Sequence, residues 1–220
     1  MIKGFIFDFD GLILDTETPH LQAWQEVFAE YGEHIQLADW LKLIGTGPVD
    51  YDPGIDLFNR RQGNLDLQAV RKQANTLTTQ KMANMQVLPG VINFLQAASE
   101  LNAPLAVASS SPRDWVEPLM QEFALTQYFD IVVTADNVSH VKPEPDLYLL
   151  AAGHLGLKPT EVIAFEDSVN GIRAAQAAGI YCVAVPNSVT GHMNVEIADK
   201  IVKSFFELSP QQFLTRQDLN

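Results

Sequence analysis

Ile2-Lys3-Gly4-Phe5-Ile6-Phe7-Asp8-Phe9-Asp10-Gly11 is the stretch whose reading decides the fold. Its apolar run, Ile2 to Phe7, reads as a strand buried on both faces, as in a parallel sheet. Asp8 and Asp10 break the run and Gly11 turns the chain. No second strand follows for nearly 100 residues. The segment from Thr16 to Met85 reads helical instead. Pro19 suits a helix start behind Thr18 as N-cap. Leu21, Trp24, Val27, Phe28 and Tyr31 keep a helical stripe that Gly32 ends. Ala38 to Ile44 and Leu65 to Met82 are further helical candidates, and the turn-rich run from Gly45 to Gly54 reads as a loop. Pro89-Gly90 marks the return to strands.

From there short apolar runs alternate with helical patterns. Leu105 to Ala108, Ile131 to Val133, Val162 to Phe165, Tyr181 to Val185 and Ile201-Val202 read as strands. Asp114 to Phe123, Pro145 to Leu155 and Val169 to Ala178 read as helices, the last two ended by Gly156 and Gly179. The alternation predicts an α/β protein with a parallel sheet covered on both faces. Residues 1–15 and 86–220 form its core, and residues 16–85 form a helical insert after the first strand.

Composition fits this reading and narrows the partners. Of 220 residues 47% are apolar and 19% charged, which excludes collagen, coiled coil and wholesale disorder. Lys and Arg number 14 against 27 Asp and Glu, a net charge of −13. Such a balance argues against nucleic acid and anionic membrane as partners. A small anion needs only a local cation, a metal or exposed N–H groups. Cys182 is the single cysteine, so no intrachain disulfide forms. The start reads as too short and too early-charged for a signal peptide, and no 18-residue apolar run exists. A reduced, cytoplasmic chain is expected.

In open α/β sheets ligands bind beyond the carboxyl ends of the strands. Those ends carry Asp8 and Asp10, then Ser109, Ser110 and Ser111, then Glu166 and Asp167, with Lys142 after the Ile131 strand. Carboxylates gathered at one sheet edge repel, and a divalent cation offsets the repulsion. All-oxygen ligands suit Mg²⁺. A carboxylate beside the metal is a competent nucleophile towards a phosphoryl group, and a second can move the proton. Lys142 would neutralise charge on the transferring group. Ser109 and Ser110, with N–H groups at the helix start behind them, make an anion cradle. Ser111-Pro112 fits an N-cap followed by proline at the first helical position.

Asp8-Phe9-Asp10-Gly11, Ser109, Lys142-Pro143 and Glu166-Asp167-Ser168, in this order, resemble the four motifs of the haloacid dehalogenase superfamily. The runs Asp8 to Glu17 and Phe165 to Ala175 are similar to its β-phosphoglucomutase and small-phosphatase branch. The resemblance implies a Rossmann-like core, a mobile helical cap after the first strand, Mg²⁺ and an aspartyl-phosphate intermediate. By match Asp8 is the nucleophile and Asp10 the general acid/base. Ser109 and Lys142 hold the phosphoryl group. Asp167, with Glu166 directly or through water, holds Mg²⁺ alongside Asp8 and the Asp10 carbonyl. The second acid two residues after the first points to phosphoryl chemistry, since dehalogenases of the superfamily lack it.

The expected activity is Mg²⁺-dependent hydrolysis of a small phosphomonoester, such as a sugar phosphate, by a monomeric chain. The alternative is a β-phosphoglucomutase-like phosphotransferase. That pattern has a Lys-Gly pair and a nearby Arg in the cap loop. Here Ile44 precedes Gly45, and Thr46-Gly47-Pro48-Val49 supplies no Arg. A receiver-like signalling domain would place its acceptor Asp in a mid-domain strand and carry no insert. Taken singly the residues also have blander readings. Asp15 and Thr16 form a hinge turn, Gly171 is a packing position, Arg173 is an exposed cation, and Trp24 and Phe28 are cap core. His34, His140, His154 and His192 lack metal spacing. His20 opens the first cap helix, where it can face the site, and matches a histidine of β-phosphoglucomutase.

Overall fold

A computed structural model of the protein describes residues 1–44 and 51–215. Six parallel strands form its sheet: β1 (Gly4–Phe7), β2 (Leu105–Ala108), β3 (Ile131–Val133), β4 (Val162–Glu166), β5 (Tyr181–Ala184) and β6 (Lys200–Ile201). Their order is β3-β2-β1-β4-β5-β6. The chain therefore builds outward from β1 on one side, then restarts beside β1 and builds outward on the other. That reversal opens a crevice at the carboxyl end of β1. Phe7 is level with Val107 of β2 and with Phe165 of β4. Asp8, Ser109 and Glu166 thus reach the same edge.

Alternation along β1 sends Phe5 and Phe7 to one face and Ile6 to the other. The first face is aromatic: Phe5, Phe7 and Phe165 pack with Phe94 of α5 (Val91–Glu100), Phe205 and Phe213 of α9 (Pro210–Leu214). The second face is built of small residues. Ala106, Ala108, Ala164 and Ala184 meet Ala151 and Ala152 of α7 (Asp146–His154) and Ala174 and Ala175 of α8 (Val169–Ala177). Small side chains let these two helices lie close to the strands that end in the site. The last core helix, α6 (Arg113–Glu122), follows β2.

Between β1 and α5 lie α1 (Glu17–Glu30), α2 (Leu37–Trp40), α3 (Pro53–Arg60) and α4 (Leu67–Met82). They share their own apolar cluster, in which Leu21, Val27, Phe28, Leu57, Val70 and Ala74 meet Val189 of the core. Trp24 packs against that cluster as expected. The chain leaves and re-enters the core at adjacent points, where Leu14 bridges Val87 antiparallel and the Leu88 N–H donates to the Ile13 carbonyl at 2.8 Å. No helix among the described residues is long and apolar enough to cross a membrane.

Several boundaries differ from the sequence reading. The first helix begins at Glu17 behind Thr16, not at Pro19 behind Thr18. The Thr18 N–H instead donates to Asp15 Oδ1 at 3.0 Å, so the hinge acid caps the turn. Asp52-Pro53-Gly54 is a helix start and not a loop: Asp52 accepts from the Ile55 N–H at 3.0 Å and Pro53 takes the first helical position. Pro112, not Ser111, is the N-cap of α6. β1 begins at Gly4, not at Ile2. The loop from Gly45 to Val49 lies outside the described residues.

Candidate functional site

A cleft of about 330 Å³ lies over the carboxyl ends of β1 and β2 and under the start of α1. Asp8, Asp10, His20, Ser109, Ser110, Lys142 and Asp167 all line it. Glu166 sits just beneath. The structure thus brings together every site residue expected from sequence.

Asp8 is buried, and its Oδ1 accepts from Lys142 Nζ at 2.5 Å. The same ammonium donates to Glu166 Oε1 at 2.6 Å, and the Tyr148 hydroxyl donates to that oxygen at 2.6 Å. Glu166 Oε2 accepts from the Ser168 hydroxyl at 3.3 Å and the Asp167 N–H at 3.2 Å. Gly171 is needed here, since a Cβ on it would lie 1.9 Å from Glu166 Cδ. Gly11 is equally constrained: its φ is +78°, and a Cβ would lie 2.2 Å from Asp167 Oδ2. Asn187 ties these parts together, donating to the Gly11 carbonyl at 2.9 Å and to Asp167 Oδ2 at 3.0 Å.

Carboxylate oxygens of Asp8, Glu166 and Asp167 lie within 4.8 Å of one another. Burial, reinforced by Glu166, pushes the Asp8 carboxyl up to about 7 despite Lys142. Burial, then Asp8 and Glu166, holds Asp167 well above its ordinary value. Burial acts to lower the Lys142 ammonium, but Asp8 and Glu166 outweigh it and hold it raised. With all four ionised, three carboxylates and one ammonium leave a buried excess of two negative charges, which a divalent cation would balance. Asp167 Oδ1 is buried and has no hydrogen-bond partner among the described residues. An all-oxygen donor set with one orphaned oxygen fits a hard divalent ion such as Mg²⁺.

The Asp10 carboxylate does not join that trio. It is turned towards α6, accepting from the Ser111 hydroxyl at 2.6 Å, the Trp115 Nε1–H at 2.8 Å and the Ser109 hydroxyl at 3.3 Å. The expected cradle of N–H groups is also partly engaged: Ser111 N–H donates to Ser109 Oγ at 3.0 Å and Arg113 N–H to Asp136 at 2.7 Å. The hydroxyls of Ser110 and Thr16, both lining the cleft, are buried with no partner among the described residues. They are free to meet a ligand. His20 Nδ1 lies 3.0 Å from the Thr16 carbonyl, and burial holds its imidazole below the usual histidine range. Glu17 also lines the cleft, and burial beside Asp10, Asp8 and Asp15 pushes it up to about 8.

Sequence reasoning gave no role to Glu17, Trp115, Tyr148 or Asn187. Asn187 could have been found, because it follows β5 as Asp167 follows β4. Trp115 and Tyr148 carry no such signal, for each lies inside a helix and reads as core.

Comparison with known proteins agrees with the geometry. A profile of the haloacid dehalogenase-like hydrolases matches residues 5–185. YhcW of Bacillus subtilis, a protein with the provisional name of a phosphatase, is 42% identical over 212 residues, 94% of each chain. The fructose-1-phosphate phosphatase YqaB of Escherichia coli is 37% identical over 83% of this chain and 95% of its own. The crystal structure of CbbY from Rhodobacter sphaeroides in complex with phosphate superposes with a TM-score of 0.71. It is 31% identical and covers 94% of this chain and 96% of that one.

Proposed function

We propose, from the premise that this chain belongs to the haloacid dehalogenase-like hydrolases and is a phosphoric monoester hydrolase, that it cleaves a small sugar phosphate through an aspartyl phosphate on Asp8. The observation that carries this reading is Asp8 itself: a buried carboxylate at the floor of the cleft, held by Lys142 and flanked by Glu166 and Asp167.

Asp8 forms a bond to phosphorus while the ester P–O bond breaks, and Asp10 gives a proton to the leaving oxygen. Water then attacks phosphorus while Asp10, now ionised, takes a proton from it; the bond from Asp8 to phosphorus breaks, and inorganic phosphate leaves with both acids restored. Lys142, Ser109 and Ser110 hold the phosphoryl oxygens. Asp8, Asp167, Glu166 and the Asp10 carbonyl would hold Mg²⁺, which supplies charge neutralisation at the phosphoryl group. Residues 16–85 act as a cap whose face selects the rest of the substrate.

Hydrolysis is favoured over phosphomutase chemistry by the cations of the helical segment. Lys42 pairs with Asp39, Arg60 with Asp56, Arg71 with Asp52 and Lys81 with Glu26. Among the described residues none of these lines the cleft, where a mutase would grip its second phosphate. The deciding experiment measures phosphate release across a panel of sugar phosphates, with β-glucose 1-phosphate assayed with and without its bisphosphate. Release should greatly exceed isomerisation. Glucose 6-phosphate formed faster than free phosphate would reverse the assignment.

Two further results are expected. Asp10→Asn should lower kcat on an alkyl phosphate by roughly 10²–10⁴-fold; a loss under about tenfold would remove Asp10 from proton transfer. Chelation should stop turnover, and added Mg²⁺ should restore it. Linkage gives this metal dependence a pH signature. Folded Asp8 and Asp167 keep protons that the unfolded chain releases near pH 4, so the contribution of Asp8 to stability is lost as pH rises from about 4 through about 7, and that of Asp167, also held well above its ordinary value, is lost in the same direction. A divalent cation on these groups offsets that loss. The rise in thermal midpoint on adding Mg²⁺ to metal-free protein should be larger at pH 8 than at pH 5, and an equal rise at both would contradict the site.

A further inference from the structure

Trp115 is the one aromatic side chain that hydrogen-bonds to Asp10 among the described residues. Its indole Nε1–H donates to Asp10 Oδ1 at 2.8 Å, and the Ser111 and Ser109 hydroxyls donate to Oδ2 at 2.6 and 3.3 Å. An ionised carboxylate offers about four lone-pair directions. Trp115 on Oδ1 and Ser111 on Oδ2 hold one oxygen each and so fix its plane, while the longer Ser109 contact is the one given up when that hydroxyl turns to the phosphoryl group. The indole is well suited to this task. It is rigid and planar, it is anchored at the first turn of α6, and part of it packs into the aromatic face of the core. Its ring also lies 5.8 Å from that of His20, tilted by 33°.

We infer that Trp115 is a positioning residue for the reaction: its indole N–H holds the Asp10 carboxyl group so that its free side faces the reacting centre, carrying the proton that goes to the leaving oxygen and later taking one from the attacking water. The inference rests on the reading of Asp10 as the proton-transfer group. The mechanism ascribes no step to Trp115 itself, which exchanges no proton and forms no bond to substrate. It makes the orientation of Asp10 a property of α6 and the loop before it, and not of the β1 loop that carries the acid.

The test is a double-mutant cycle on the intact protein. Trp115→Phe keeps a ring beside His20 and removes the N–H. On an alkyl phosphate its kcat should fall roughly tenfold while KM stays within about twofold, because an orienting contact acts on the chemical step. The same substitution is then made in the Asp10→Asn background and read by residual turnover of 4-nitrophenyl phosphate, whose leaving group needs no proton. There it should change kcat by less than about twofold, while in the Asp10 background on this same ester it should still slow turnover. An equal loss in both backgrounds would show that Trp115 acts only through the fold, and no loss in either would show that its N–H contributes nothing; both overturn the inference and leave the reading of Asp10 standing. Wild-type turnover of the alkyl ester by Asp10→Asn would overturn that reading and this inference with it. Should the phenyl ring fail to seat, as judged by the thermal midpoint, Trp115→Met repeats the cycle with a flexible apolar chain.

Discussion

Asp8→Asn should bring phosphate release down by about four orders of magnitude or more, the scale on which removal of a nucleophile acts. The amide has the shape of the carboxylate but cannot attack phosphorus. The fold should survive the change. Lys142 keeps its 2.6 Å bond to Glu166, so no buried ammonium is left without a partner. One fewer negative charge also eases the repulsion that burial imposes on the trio. Phosphate release and a thermal melt on the same preparation check both halves of this expectation. A well-folded Asp8→Asn protein with near-native turnover would refute the aspartyl-phosphate mechanism.

Lys142→Met carries the second large effect, and here stability and activity should fall together. Lys142 is 2% exposed and lies between Asp8 and Glu166. Methionine fills much of the same volume but leaves two buried carboxylates facing each other without a cation. Breaking a buried ion pair by removing one partner costs about 3–5 kcal/mol. Loss of a preorganised donor to the transferring group costs roughly 10²–10³ in kcat. The two effects separate on titration with Mg²⁺, which should recover part of the lost stability and little of the lost kcat. A variant within about tenfold of native kcat would show that Lys142 serves the fold alone.

Much of this site was legible because polar groups ending apolar runs are conspicuous. Asp8, Ser109 and Glu166 each stop a strand, and the parallel register brings strand ends level whatever their separation along the chain. The parallel sheet followed from the same alternation, but the strand order did not, because alternation does not say on which side of β1 each new strand is added. What escaped the sequence depends on where the chain returns. Ser111 has the residue type of an N-cap, whose oxygen would accept from the first helical N–H groups, yet its hydroxyl is turned to the Asp10 carboxylate, to which it donates, and the helix starts behind Pro112. Asp52-Pro53-Gly54 has the chemistry of a turn and of a helix start alike, and only the Asp52 bond to the Ile55 N–H decides between them. Tyr148 reads as one more apolar residue of α7 until Glu166 is seen at its hydroxyl. Glu17 was visible in the run Asp15-Thr16-Glu17, but its proximity to Asp10 needs the sharp turn from β1 into α1.

The bridge between Leu14 and Val87 makes the protein modular in an engineering sense. The helical segment hangs from two neighbouring points on the core, so a tight two-residue turn of the kind that closes antiparallel strands would span its ends. Strand order, register and the acidic trio all lie on the other side of that junction. Segments of other lengths and shapes should therefore graft at Leu14 and Val87 without disturbing the sheet, and the seam they would have to respect is short: the α1 residues over the cleft, the apolar contact with Val189, the Thr18 hydroxyl at 3.2 Å from that of Ser188, and the Ile44 carbonyl held by Asn170 at 3.2 Å. A lineage could exchange the helical segment while inheriting unchanged the sheet and the acidic trio at its edge.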